Sequence, residues 1–205
     1  MRGFLHVPVQ PGGDSLLLTH GAGANCQSQL LVSLATEFVQ AGWVVLRCDL
    51  PFRQTRRFGP PFPATAARDR EGIRRALDLL KRKSTGRIFV GGHSYGGRQA
   101  SMLIAEEPDL VDGLLLLSYP LHPPRKPEQL RTAHFPKLTR PALFVHGSRD
   151  PFASIEEMHR ALALIPARHE LLEVQGAGHE LLGKKSSNDL PPRIVKAFQQ
   201  FCGFS

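Results

Sequence analysis

The stretch Ile88-Phe89-Val90-Gly91-Gly92-His93-Ser94-Tyr95-Gly96-Gly97-Arg98 decides the fold. A short apolar run gives way to Gly-x-Ser-x-Gly over Gly92 to Gly96, and the residues from Gly97 to Glu106 then read as a helix. A serine held between glycines at a strand-to-helix turn adopts a strained backbone that lifts its hydroxyl above the sheet, and a Cβ on either flank would strike neighbouring strands. Phosphate-cradling turns also use glycine. Here neither Gly-x-Gly-x-x-Gly nor a terminal Lys-Ser/Thr is present, so the nucleophile turn is the better reading.

Outward from this turn, short apolar runs alternate with helix-period segments. The expected strands are Leu16 to Thr19, Trp43 to Cys48, Arg87 to Gly91, Leu114 to Leu117, Ala142 to His146 and Glu170 to Val174, with Phe4 to Val9 as a leading edge strand. Most are continuous in Leu, Val, Ile and Phe, as strands covered on both faces are. Between them, Leu30, Leu31, Leu34 and Phe38 recur at helical spacing, as do Ile73, Ala76, Leu77 and Leu80. The same holds for Ile155, Met158, Leu162 and Ile165, and for Ile194, Val195, Phe198 and Phe201. Each set lays one apolar stripe on a sheet. Strand and helix in alternation imply right-handed crossovers and a doubly wound, mostly parallel sheet in a three-layer αβα sandwich, with ligands at the carboxyl ends of the strands. Without a linker or repeat, residues 1–205 read as a single domain.

A serine hydroxyl is a weak nucleophile and needs a base, which in turn needs an orienting acid, both from other loops that follow strands. After the strand ending at His146 the chain reads Gly147-Ser148-Arg149-Asp150-Pro151, and after Val174 it reads Gln175-Gly176-Ala177-Gly178-His179-Glu180. Ser94, Asp150 and His179 therefore occur in the order nucleophile, acid, base. If Asp150 is not the acid, Asp112 and Glu180 are next. Of the other histidines, His20 and His146 end strands and support loops, His93 adjoins Ser94 too closely to face it, and His169 lies at a strand start on the far side of the sheet. A metal site from His20, His93 and His146 lacks a carboxylate at familiar spacing, and no metal or other cofactor is expected. The loop Thr19-His20-Gly21-Ala22-Gly23-Ala24-Asn25 follows the first confident strand. Acyl-bond cleavage needs backbone N–H donors for the developing oxyanion, and these are assigned to Tyr95 and Ala22, with Gly21 and Gly23 allowing close approach.

On Thr19-His20-Gly21-Ala22-Gly23, the elbow from Gly91 to Arg98, Tyr119-Pro120-Leu121-His122-Pro123-Pro124, His146-Gly147-Ser148-Arg149-Asp150 and Ala177-Gly178-His179, the chain resembles the α/β-hydrolases. It is most similar to the small lidless group related to dienelactone hydrolase and the testis-expressed-thirty-like predicted hydrolases. The resemblance implies a serine hydrolase fold with this triad and no cofactor. Dienelactone hydrolases proper carry cysteine where this chain has Ser94. Larger members insert a cap, whereas only Ser118 to Pro141 lies between strands here, and Pro120, Pro123, Pro124, Pro127 and Pro136 make it a stiff rim rather than a lid. An open site suits a small soluble acyl substrate.

The Pro-rich loop from Asp49 to Pro63 leaves a carboxyl strand end and carries Arg53, Arg56 and Arg57, read here as a rim for an anionic substrate group, with His122 as a further substrate contact. Solvated arginines on a stiff loop are the alternative. Arg98, one turn past Ser94, is placed for a buried ion pair supporting the elbow, with Asp49 the candidate partner.

Composition sets the outer bounds. The chain has 205 residues, 41% hydrophobic and 21% charged, and its 26 Lys and Arg against 18 Asp and Glu give a formal charge of +8. That excess favours anionic partners. Nucleic acid is not expected, because there is no zinc-finger spacing, RNA-binding aromatic pattern or long basic run. No run approaches the roughly 18 apolar residues of a membrane span, no secretory signal precedes the domain, and three cysteines at no metal spacing fit reduced thiols, so a cytoplasmic protein without membrane contact is expected. The leading function is a carboxylesterase-like serine hydrolase acting on a small acyl substrate. A non-catalytic binding or scaffold protein on the same fold is the alternative. Acyl transfer and perhydrolysis would use the same three residues.

Overall fold

The computed structural model describes residues 2–182 and 189–203. Seven strands form one sheet: β1 (Gly3–His6), β2 (Ser15–Thr19), β3 (Val44–Cys48), β4 (Ile88–His93), β5 (Gly113–Leu117), β6 (Ala142–Gly147) and β7 (His169–Val174). Their order is β1-β3-β2-β4-β5-β6-β7, with β1 antiparallel to β3 and every other pair parallel. The helices are α1 (Gln29–Gln40), α2 (Pro51–Thr55), α3 (Ala66–Lys81), α4 (Tyr95–Glu106), α5 (Ile155–Leu162) and α6 (Leu190–Phe201).

The continuous apolar strands split residue by residue between two layers. Leu17, Leu114 and Leu116 pack with Ile73, Leu77 and Leu80 of α3, Leu103 and Ile104 of α4, and Met158 of α5. Leu16, Leu18, Leu115 and Leu117 face the other way, onto Leu31, Leu34 and Phe38 of α1 and Ile194, Phe198 and Phe201 of α6. This period-two division of a uniformly apolar run is what a sheet covered on both faces requires. At the centre of the second layer, Phe38, Trp43, Phe89 and Phe198 meet with ring centroids 5.1–5.9 Å apart.

The expected strands all form. β1 stops at His6, two residues short of Pro8, where the expected run continued to Val9; Val7 and Val9 are exposed. β4 runs two residues further than expected, through Gly92 and His93. Ile165 packs in the first layer although it lies beyond the end of α5. A short α-helix was not anticipated: α2 forms inside the Pro-rich loop, with Pro51 at its first turn, where the missing N–H costs nothing. Between β5 and β6 there is only the rim and a 3-10 turn at Phe135–Lys137, so no cap domain covers the strand ends.

Candidate active site

The elbow glycines are required by space. A Cβ on Gly92 would stand 2.3 Å from Thr19 Oγ1, and one on Gly96 2.6 Å from the His20 carbonyl, so the turn is pressed against the end of β2. A Cβ on Gly97 would meet the Gly92 carbonyl at 2.5 Å. Ser94 itself takes φ 50°, ψ −115°, a region that non-glycine residues rarely enter. Its N–H donates to Leu117 O at 2.8 Å, which ties the turn to β5. On that neighbouring strand end Ser118 is also left-handed, at φ 46°.

Three elements converge on this serine. His179 Nε2 lies 2.8 Å from Ser94 Oγ, and His179 Nδ1 lies 2.8 Å from Asp150 Oδ2. Asp150 is buried at the end of β6, and its other oxygen accepts the N–H of Phe152 at 2.9 Å. The His179 loop docks beside it: Arg149 N–H donates to Ala177 O at 2.9 Å, and a Cβ on Gly147 would stand 2.4 Å from that same carbonyl. Asp112 is engaged elsewhere, accepting Ile88 N–H at the opposite end of β4.

Two residues that sequence reasoning missed hold the imidazole. The Phe152 ring stacks on His179 with centroids 4.2 Å apart at 34°. His93, dismissed as too close to Ser94, instead donates from Nε2 to the His179 carbonyl at 2.8 Å, its ring 5.1 Å from that of His179. Burial pushes the His93 pKa down, so it serves as a neutral donor. Only its position inside the elbow could have flagged it.

Tyr95 opens α4, where its N–H has no intrahelical acceptor. Its hydroxyl donates to Asp69 Oδ2 at 2.7 Å, while Asp69 Oδ1 accepts Phe52 N–H at 3.0 Å. Burial raises the pKa of both Asp69 and Tyr95. An aspartate in the first turn of α3 gave no hint in sequence that it would anchor the residue after the serine. Across the turn, a Cβ on Gly21 would stand 2.9 Å from His93 Nδ1, which explains that glycine; nothing lies within 4 Å of a Cβ on Gly23, so close approach does not explain that one.

Of the three arginines expected on the rim, Arg53 turns inward instead, while Arg57 is exposed and Arg56 half-exposed. Arg53 is buried, and its guanidinium donates to the carbonyls of Ala22 (2.6 Å), Ala24 (2.8 Å), Arg56 (3.2 Å), Arg57 (2.9 Å) and Gly59 (3.1 Å). With its donors engaged by backbone, it clamps two loops together and has nothing left for a substrate anion. Arg56 lies over Phe62 and Arg57 over Phe58, at 4.4 and 5.3 Å from the ring centroids. His122 is likewise engaged: buried, with Nδ1 2.8 Å from Pro123 O and Nε2 3.5 Å from Glu157 Oε2. It supports the loop that carries Phe152, whose carbonyl accepts its N–H.

Asp49 is not the partner of Arg98. It accepts from Cys26 N–H at 2.8 Å and pairs with Arg2, near His20 Nε2 at 3.7 Å. It ends β3, on the far side of β2 from β4, whereas Arg98 points toward the β5 side. His20 and His146 support loops as expected, His20 accepting Leu50 N–H at 3.1 Å and His146 lying 3.0 Å from Ala153 O. Among the described residues no group of three His, Cys, Asp or Glu side chains is placed to hold a metal ion, and no helix is long and apolar enough to cross a membrane.

Solved structures share this arrangement of elements. The chain superposes on the Est1E structure with bound ferulic acid from Butyrivibrio proteoclasticus with a TM-score of 0.75 at 19% identity, covering 97% of this chain and 94% of that one. Against dienelactone hydrolase from Anabaena variabilis the TM-score is 0.76 at 20% identity, covering 97% and 89%. Against XC6422 from Xanthomonas campestris, described as an α/β serine hydrolase without lid, it is 0.71 at 13% identity, covering 97% and 86%. At such identities the likeness establishes the fold. Residues 13–203 match the model of the alpha/beta hydrolase domain, and the chain belongs to that family.

Proposed function

We propose that this protein is a serine hydrolase that cleaves an ester or related acyl bond of a small soluble substrate through an acyl-enzyme intermediate. The observation that carries the proposal is the continuous hydrogen-bonded line from Ser94 Oγ through His179 to buried Asp150. In this reading His179 Nε2 takes the Ser94 proton as Oγ attacks the acyl carbon, and the Nδ1–H bond to Asp150 fixes the tautomer and stabilises the imidazolium. His179 then protonates the leaving alcohol and later activates a water that releases the acid. Tyr95 N–H and Ala22 N–H receive the oxyanion, each worth roughly 3 to 4 kcal/mol in the transition state. Two loop anchors support that role: Asp69 holds Tyr95, and Arg53 holds Ala22.

The open strand ends, and the likeness to a neighbour described as without lid, favour a substrate that needs no interfacial opening. The ferulic acid complex of Est1E adds a carboxylic acid seated on the same fold. The three free cysteines, two of them buried, fit a single-domain enzyme of the reducing cytoplasm.

A fluorophosphonate probe should label the protein once, on Ser94, and Ser94→Ala should abolish both labelling and hydrolysis of p-nitrophenyl acetate and butyrate. Equal labelling of the variant overturns the assignment. A native protein that folds yet neither labels nor turns over any ester favours the binding-protein reading.

A further inference from the structure

We propose that Arg98 and Arg131 form an anion-binding subsite beside Ser94, and that the substrate is an ester whose acyl part carries a second, anionic group, a carboxylate or phosphate, which this pair binds. The proposal rests on the serine hydrolase reading and names the substrate class for the same site.

The chain has many arginines, and most of those described are spoken for. Arg74 pairs with Glu71 and Glu107, Arg87 with Asp14, Arg140 with Asp109, and Arg53 is wrapped in carbonyls. Among the described residues no carboxylate lies within ion-pair distance of Arg98 or Arg131. Arg98 Nε is buried and has no hydrogen-bond partner there. Leaving a charged donor in that state costs more than leaving a neutral one, so an acceptor is called for.

Placement then says where the acceptor enters. Arg98 N–H donates to Ser94 O at 3.0 Å, which puts Arg98 one helical turn, about 6 Å along α4, from the nucleophile. Its guanidinium lies beside the Tyr119 hydroxyl. Tyr119 follows the carboxyl end of β5, adjacent to the elbow, and donates to Arg131 O at 2.7 Å. Arg131 reaches back with Nη1 3.3 Å from Pro120 O, so both cations stand on the β5 side of the serine. This is the stiff rim on which the sequence placed no charge recognition.

The two arginines feel one another. Burial lowers the Arg131 pKa, and the charge of Arg98 lowers it further. His134, with Nε2 2.8 Å from Ser101 Oγ, is brought down to about 4 by burial and again by Arg98. His134 therefore lies within reach of the Arg98 charge. A bound anion would offset the Arg98 part of that lowering, though not the larger part due to burial, and so raise the His134 pKa.

Two measurements test this. The first compares kcat/KM for mono-p-nitrophenyl glutarate with that for p-nitrophenyl valerate, a neutral ester of matched length, in native protein, Arg98→Gln, Arg131→Gln and Arg131→Lys. The anionic-to-neutral ratio should fall about tenfold in each glutamine variant, as for loss of one charge-assisted hydrogen bond, and recover in part in the lysine variant. The second follows the His134 ring by NMR as sulfate, which does not titrate in this range, is added to Ser94→Ala. Its pKa should rise, and the rise should vanish when Arg131→Gln is added. If Arg98→Gln does not fold, Arg131→Gln decides alone. An unmoved ratio together with an unmoved His134 overturns the subsite. If neither ester turns over, the hydrolase reading fails, and the sulfate titration alone then decides the subsite.

Discussion

Replacing Arg53 with glutamine separates a structural clamp from a substrate rim. Arg53 donates to five backbone carbonyls and is 4% exposed. The acceptors on Arg56, Arg57 and Gly59 belong to an outer loop and regain water when the guanidinium is removed. The bonds to Ala22 and Ala24 bridge to a different loop, half-buried beside the elbow, and are the ones whose loss is felt. At about 1.5 to 3 kcal/mol for each bond from a charged donor, those two amount to about 3 to 6 kcal/mol. The shorter glutamine amide keeps at most part of one, which leaves an expected loss near 3 kcal/mol. For a chain of this size that is about 6 to 12 °C in Tm. Loosening the Ala22 loop also displaces a proposed oxyanion donor, so kcat should fall for neutral and anionic esters alike, by up to about 100-fold. Thermal denaturation and kcat/KM on matched neutral and charged p-nitrophenyl esters measure both effects. A variant with native Tm whose only defect is on the anionic ester would refute the clamp and restore the substrate rim.

Asp150→Asn should keep the Phe152 contact through the remaining carbonyl oxygen while destroying the tautomer control of His179, so turnover should drop by about 10⁴ with little change in Tm. Gly96→Ala puts a methyl 2.6 Å from the His20 carbonyl and should fail to give stable, active protein, whereas Gly23→Ala, with open space around it, should retain a near-native Tm. Burial lowers the pKa values of His20, His93, His134 and His146 in the folded state, so the unfolded chain binds more protons below pH 6.5. The contribution of these groups to stability is therefore present above about pH 6.5 and is lost as pH falls through the depressed values, which urea midpoints from pH 7.5 to 4.5 should show as a steady decline. Burial pushes the Cys26, Cys48 and Cys202 thiols up to about 12, so iodoacetamide at pH 8 should modify none of them until the protein unfolds.

The parts of this molecule legible in sequence are those where backbone geometry leaves a residue-type signature. The elbow is written in glycines because Thr19, His20 and Gly92 leave no room for a Cβ, and the sheet is written in apolar runs because both of its faces are covered. Ser94, Asp150 and His179 could be chosen because each follows a strand, and topology alone brings the carboxyl ends of β4, β6 and β7 to one edge. What stayed hidden is side-chain direction. Arg53 and Arg98 are the same residue type on short segments near the same edge, and nothing in their neighbours along the chain tells that one would be wrapped by five carbonyls while the other would keep a buried Nε without a partner. The difference is made by residues far away in sequence: Ala22 and Ala24 at the end of β2 for Arg53, Tyr119 beyond β5 for Arg98. Charge counting therefore could not tell that Arg53 would spend its donors on backbone carbonyls. Under the subsite proposed above, the +8 excess would bear on specificity where a cation lacks a carboxylate partner: Arg98 keeps a buried Nε without a partner, and Arg131 has only the Pro120 carbonyl.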